Sequence, residues 1–198
     1  MRLFAAVLPP EDIAHELAAE VERLRALPGA DGLRWTGRPG WPHGGAVNWH
    51  FTLAFYGEVD DDVVPELSAR LERAARRSAP FELAVRGGGQ FGHGRALWAG
   101  AAGDVPALRL LADRAEAAAR KAGLDLGEHR RYKAHLTLAR SREAVDVGPY
   151  LDVLDAFAGR TWTVGELVLV RSNLPRSGVP GEQPRYEPTG RWALGGAG

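Results

Sequence analysis

The chain has 198 residues, 45% of them hydrophobic and 25% charged, with 25 basic and 25 acidic side chains. That is enough for one domain or two small lobes sharing a core, and the composition is ordinary for a soluble globular protein. Zero net charge gives no global sign of a nucleic-acid binder, the absence of cysteine excludes disulfide and thiolate chemistry and fits a cytoplasmic protein, and no apolar run approaches the ~18 residues that span a bilayer.

In chain order, residues 2–8 ("RLFAAVL") read as a first strand rather than a signal peptide, which would need a longer apolar core and a cleavage site. Pro9-Pro10 stops it, and Glu11 and Asp12 place negative charge where a helix begins. Ile13, Leu17, Val21 and Leu24 then recur at helical spacing. Residues 36–48, "TGRPGWPHGGAVN", are a Gly/Pro-rich loop. "WHFTLAFYG" is a strand, and "DDDVVPELSARLERAARRS" a helix with Val64, Leu67 and Leu71 inward. "FELAVRG" alternates as a strand with Phe81, Leu83 and Val85 on one side, and "GGGQFGHG" reads as a loop.

A similar order then returns. "RALWAG" is a strand, and "DVPALRLLADRAEAAARKAG" a helix with Val105, Leu108, Leu111 and Ala115 inward and Gly123 as its C-terminal cap. "RRYKAHLTLAR" is a strand, "GPYLDVLDAFAG" a short helix and "TWTVGELVLVRS" one alternating strand. "NLPRSGVPGEQP" is a loop, "RYEPTGRWAL" a last edge strand, and residues 195–198 a flexible tail behind a single bilobal unit over 1–194. The order strand, helix, His-x-Thr strand, helix, strand occurs twice, which reads as an internal duplication. The expected fold is α+β: two interleaved, pseudo-two-fold lobes, each a largely antiparallel sheet with outer helices.

Chemistry concentrates in the two His-x-Thr strands. Residues two apart on a strand point the same way, so His50, Thr52 and Ala54 share one face, with Trp49, Phe51, Leu53 and Phe55 opposite in the core. In the second copy His135, Thr137 and Ala139 share a face, over a buried Ala134, Leu136 and Leu138. If a pseudo-two-fold brings these faces together, one cleft holds two imidazoles and two hydroxyls. One imidazole near neutral pH can be charged while its partner is neutral. That pair suits acid–base cleavage of a phosphodiester, with the hydroxyls on the phosphate oxygens and no metal needed.

"HFTLAFYGEV" and "HLTLARSR" resemble the paired motifs of the 2H phosphoesterase superfamily, and within it the RNA 2′,3′-cyclic phosphodiesterases, also called 2′-5′ RNA ligases. "RLFAAVLPPE", "RALWAG" and "VRSNLPRSGVPGEQPRYE", the last with extra residues before Tyr186, extend the resemblance over nearly the whole chain. It implies an active site in a cleft between lobes and hydrolysis of RNA 2′,3′-cyclic phosphate ends to a 2′-phosphate, with the reverse 2′-5′ ligation open. It further implies His50 as general acid, His135 as general base, and Thr52, Thr137 and Arg140 as phosphate-binding residues. Strict alternation, however, puts Arg140 opposite His135, so it reaches the cleft only if the strand bulges, twists or ends. The implied partners are RNA 3′ ends or nucleotide 2′,3′-cyclic phosphates. No cofactor, no membrane and no obligate protein partner are expected, and a monomer is the default.

The sequence departs from the family at Ala134, where Pro is usual, and in the longer 36–48 stretch. There Trp41 or His43 could form a lid or stack a base, against a plain solvated insertion. Arg131 and Lys133 share the parity of His135 and stand as RNA-backbone candidates against plain solvated basic residues. His15 and His93 read as surface or packing residues; His129 lies beside Arg130 and Arg131. No metal-ligand or Gly-x-Ser-x-Gly spacing occurs. The alternatives are a 2H phosphodiesterase acting on 2′-5′ oligonucleotides or small cyclic phosphates, and a non-catalytic module that binds RNA ends.

Overall fold

The computed structural model describes residues 1–37, 49–175 and 183–196. The elements in order are β1 (Arg2–Val7), α1 (Glu11–Arg25), a 3₁₀ turn (Ala30–Gly32), β2 (Arg34–Trp35), β3 (Phe51–Glu58), α2 (Val64–Arg76), β4 (Phe81–Phe91), β5 (Ala96–Gly103), α3 (Val105–Lys121), β6 (Leu136–Arg140), α4 (Gly148–Asp155), β7 (Trp162–Val164), β8 (Glu166–Asn173) and β9 (Arg185–Ala193). They form an α+β fold with two antiparallel sheets, ordered β3-β1-β8-β9 and β2-β6-β5-β4-β7.

The repeat in the sequence maps onto these sheets with an exchange. In each copy the first strand pairs with the His-x-Thr strand: β1 with β3, and β5 with β6. The final strand of each copy pairs in the other sheet: β4 joins β5, and β8 joins β1. Helix α3, from the second copy, likewise packs on β3 and α2, whereas α4 packs on β4. Each lobe is therefore assembled from both halves of the chain, and one core cluster runs through both.

In the four-stranded sheet, Leu3, Ala5, Val7, Phe51, Leu167 and Leu169 face the helices. Leu67, Leu71 and Ala75 of α2 meet them from one helical stripe, all fully buried. Phe4, Ala6, Val168 and Val170 form a separate small cluster on the opposite face of the same sheet. Strand β8 is covered on both faces, so its middle is a continuous apolar run. Helix α3 starts at Asp104, whose carboxylate accepts from the Ala107 N–H (3.0 Å). Val64 and Val105, expected inward, are only half-buried at their helix starts.

Three expected boundaries shift, and one short strand is added. "GGGQF" belongs to β4: a Cβ on Gly89 would stand 2.1 Å from Trp98 Cζ2, so glycine here lets Trp98 lie across the strand. "TWTVGELVLVRS" is two strands in different sheets, β7 and β8, parted at Gly165. Strand β6 begins at Leu136, not at Arg130. A two-residue β2, not expected from the sequence, pairs with β6. The chain end is fastened as far as the Gly195 N–H, which donates to the Ala75 carbonyl (3.2 Å).

Candidate active site

Both His-x-Thr strands carry a β-bulge at the same point in the motif. In β3, Thr52 pairs with Ala6 and Ala54 with Ala5, leaving Leu53 extra. In β6, Thr137 pairs with Trp98 and Ala139 with Leu97, leaving Leu138 extra. An extra residue reverses the in–out parity beyond it. Ala139 is thereby turned into the core, and Arg140 comes out exposed opposite Ala96. The expected shared face of His135, Thr137 and Ala139 is thus corrected: Arg140 takes the place of the small residue. Ala54 turns the same way, packing against the main core. Phe55, expected buried, is 49% exposed and lies opposite Phe4, with the Arg2 guanidinium 4.8 Å from its ring. Tyr56 alternates back to the interior, where its hydroxyl donates to the Ala115 carbonyl (3.2 Å), and it is itself the extra residue of a further bulge.

His50 stands immediately before β3 and is half-buried. Its ring lies 4.7 Å from that of Phe4 and 5.1 Å, edge-on, from that of Tyr186 on β9. It therefore occupies the face of the four-stranded sheet that the helices leave open. His135 is held by the other sheet. Its ring meets Phe91 edge-on at 5.0 Å and Trp98 at 6.1 Å. The Lys133 ammonium lies 4.8 Å from the Trp98 ring centre and 5.4 Å from that of Phe91. Nδ1 of His135 is 2.8 Å from the Lys133 carbonyl. A carbonyl only accepts, so Nδ1 carries the hydrogen and Nε2 keeps its lone pair. Thr52 and Thr137, each two residues beyond its histidine, are half-buried.

Charge connects the two sheets. Burial holds the His135 imidazole below its ordinary value of 6.5, the Lys133 carbonyl bond opposes this, and the Arg140 and Lys133 charges reinforce it. Burial pushes the Tyr186 phenol up, against the pull of Arg140 and Arg2. Arg140 thus acts on His135 in its own sheet and on Tyr186, the neighbour of His50, in the other. The two histidines, the two threonines and Arg140 were all singled out by the sequence. The roles of Phe4, Tyr186, Phe91 and Trp98 were missed, because aromatics on other strands, distant in sequence from a motif, give no local signal.

A second link lies beneath the site. The Thr36 hydroxyl donates to the carbonyls of Thr137 (2.6 Å) and Leu138 (3.0 Å), and its N–H donates to Leu138 as well (2.8 Å). The same oxygen accepts from Trp49 Nε1 (3.2 Å). Trp49 is 3% exposed and adjoins His50, so one hydroxyl ties the bulge of the second motif to the residue before the first. Gly37 is required alongside it: its φ is +71°, and a Cβ there would sit 2.5 Å from Trp49 Cε2. Thr36→Val leaves Trp49 Nε1 unpaired and costs about 1–3 kcal/mol. It also lowers kcat with little change in KM, whereas Thr36→Ser keeps both. Urea unfolding and steady-state kinetics check this; a Val variant identical to the parent in both would contradict the clasp.

Other expectations resolve more simply. His129 bonds Glu116 through Nδ1 (2.9 Å), and His15 lies 3.9 Å from Glu11 on α1. Trp41 and His43 lie outside the described residues. Among the described residues no group of three or more His, Asp or Glu could hold a metal ion, and no helix is long and apolar enough to cross a membrane.

The family model of the 2′-5′ RNA ligase superfamily matches residues 9–176. The chain is 33% identical over 191 residues to the RNA 2′,3′-cyclic phosphodiesterase of Thermus thermophilus, covering 90% of this chain and 85% of that one. It is 32% identical over 152 residues to the enzyme of the same name from Escherichia coli, covering 75% and 77%. Among solved structures, TT0787 of Thermus thermophilus superposes with a TM-score of 0.73 at 29% identity, covering 100% of both chains. E. coli LigT complexed with 3′-AMP superposes at 0.72, with 28% identity, covering 98% of this chain and 97% of that one.

Proposed function

Because the chain belongs to the 2′-5′ RNA ligase superfamily, we propose that it opens the 2′,3′-cyclic phosphate at RNA 3′ ends, with His50 and His135 as its acid–base pair. Relatives that match over most of the chain are RNA 2′,3′-cyclic phosphodiesterases. The observation that carries the reading is the bulge that turns Arg140 out onto the face of Thr137, where its charge also reaches the tyrosine that packs against His50. A phosphate beside Arg140 would lie between two imidazoles supplied by opposite sheets.

In this mechanism Nε2 of His135 takes a proton from water. The water oxygen attacks phosphorus and the P–O3′ bond breaks. His50 gives its proton to the departing O3′, leaving a 3′-hydroxyl and a 2′-phosphate. Thr52, Thr137 and Arg140 hold the non-bridging oxygens, whose charge changes in the transition state. Run in the same direction, with a 5′-hydroxyl oxygen attacking in place of water, the same groups would join RNA through a 2′-5′ linkage.

The pH dependence follows from the direction of the His135 shift. A base must be neutral, and its pKa lies below 6.5. The basic form of His135 is therefore fully present above that lowered pKa and is lost as pH falls through it, which places the acid limb of activity below pH 6.5. Lys133→Met removes one of the charges that disfavour the imidazolium, so the limb moves up in pH. An acid limb that stays fixed in Lys133→Met would contradict this coupling.

The function is tested by turnover of three substrates in excess EDTA: a short RNA with a 2′,3′-cyclic phosphate, a 2′-5′ dinucleotide and a small non-RNA cyclic phosphate. Preferred opening of the RNA cyclic phosphate supports the proposal. Preference for another substrate, or RNA binding with no turnover of any of the three, overturns it.

A further inference from the structure

We propose that the groove between α2 and α3, on the far side of the four-stranded lobe from His50, is a second binding site that takes backbone phosphates of a single-stranded RNA. Arg70, Arg73 and Arg77 line it from one helix, and Arg114 and Lys121 from the other. No acidic residue lines it among the described residues, and its volume is about 230 Å³. The two helices run antiparallel: the Arg114 guanidinium donates to the Arg77 carbonyl (2.7 Å) and to Ser78 Oγ (2.8 Å). Arg70 therefore faces the Lys121 end, and each row spans seven residues, about 10.5 Å along its helix axis. Ala74, Ala117 and Ala118 form the apolar floor, small enough to leave the space between the rows open.

The charge in this groove is mostly uncompensated. Glu66 pairs closely with Arg70 (2.6 Å) and at the limit with Arg73 (4.0 Å). Arg77, Arg114 and Lys121 have no ion-pair partner among the described residues. The chain as a whole is neutral, so this is a local concentration and not the overflow of a basic protein. With Arg70 held by Glu66 and Arg114 by the Arg77 carbonyl and Ser78, the Arg73 and Arg77 guanidinium groups and the Lys121 ammonium lining one open groove are suited to phosphates, with which guanidinium makes paired hydrogen bonds.

The site lies behind the helix layer, so a ligand in the catalytic cleft reaches it only if it is long. A sheet and a helix layer together are about 20 Å deep, and a strand has to pass round their edge, so at ~3.4 Å per nucleotide the two places are more than about six nucleotides apart. The groove thus distinguishes a long RNA, held at both places, from a di- or trinucleotide held only at its cyclic end. The identity of the polyanion as RNA rests on the proposed function; the groove itself does not.

The test uses the triple variant Arg73→Ser/Arg77→Ser/Lys121→Ser, which keeps the Arg114 anchor, and the charge-keeping variant Arg73→Lys/Arg77→Lys. Fluorescence anisotropy follows a labelled single strand of about fifteen nucleotides with a plain 3′-hydroxyl, titrated across a range of salt. The Ser variant is expected to bind on the order of tenfold more weakly at low salt, with a salt slope lower by about 2, one ~0.7 increment per lost cation. The Lys variant keeps most of the affinity. Turnover of a trinucleotide cyclic phosphate stays at the parent level in all three proteins. Unchanged affinity for the strand in the Ser variant overturns the proposal. Inorganic tripolyphosphate binding that is lost in the Ser variant, with RNA affinity unchanged, overturns RNA as the ligand. The anisotropy does not depend on turnover, so a failure of the catalytic reading shows in the trinucleotide assay and a failure of the groove in the anisotropy.

Discussion

Replacing His135 with Ala is expected to lower turnover of a cyclic-phosphate RNA by roughly 10²–10⁴-fold, the usual contribution of one positioned acid–base group. His50→Ala is expected to do the same. The double variant should fall little below either single one, because the two groups serve one transition state and their effects do not add. Loss of fold is not a competing explanation at this size. The His50 ring makes aromatic contacts with Phe4 and Tyr186, and His135 with Phe91 and Trp98; such contacts are each worth about 0.5–1.5 kcal/mol. A thermal melt should therefore shift by only a few degrees. Steady-state kinetics beside the melts separates the two effects, and a single-histidine variant within tenfold of the parent would exclude that residue from proton transfer.

The second large effect is at Arg140. Arg140→Met is expected to cost roughly 10²–10³-fold, the cost of losing a donor aimed at developing charge. Arg140→Lys should recover only part of that, since an ammonium cannot reproduce a planar two-point contact with phosphate. The loss should fall mainly on kcat, because the contact strengthens as charge grows on the phosphate oxygens. A variant that raises KM alone would assign Arg140 to ground-state binding instead. The side chain is presented only because Leu138 is bulged, so the geometry of β6 matters as much as the charge it carries.

These two effects also mark how far the sequence could be read. The paired His-x-Thr-Leu motifs, the helices with buried Leu67, Leu71, Leu108 and Leu111, and the repeated element order were all legible, because each rests on local periodicity. Strict alternation failed at Ala54, Phe55, Ala139 and Arg140, since a bulge is a property of two paired strands and one strand alone does not reveal it. The exchange of β4 and β8 between sheets was equally hidden. The turn at Gly165 that parts β7 from β8 looks, in one dimension, like a pause in one alternating strand. The glycines of "GGGQF" read as loop because glycine usually marks one; here they clear a path for Trp98. Thr36 reads as the start of a loop, although its hydroxyl touches both motif strands at a sequence distance no pattern spans.

On this account, two histidines from opposite sheets open a cyclic phosphate by transferring protons and leave the phosphate on the 2′-oxygen. The decisive experiment is phosphorus NMR of the product formed from an RNA 2′,3′-cyclic phosphate in excess EDTA, with the parent, His50→Ala and His135→Ala side by side. The expected result is complete conversion to the 2′-phosphate by the parent and essentially none by either variant. A 3′-phosphate product, or conversion by the parent that stops when EDTA is added, would contradict the assignment of His50 to the departing 3′-oxygen or the metal-free chemistry.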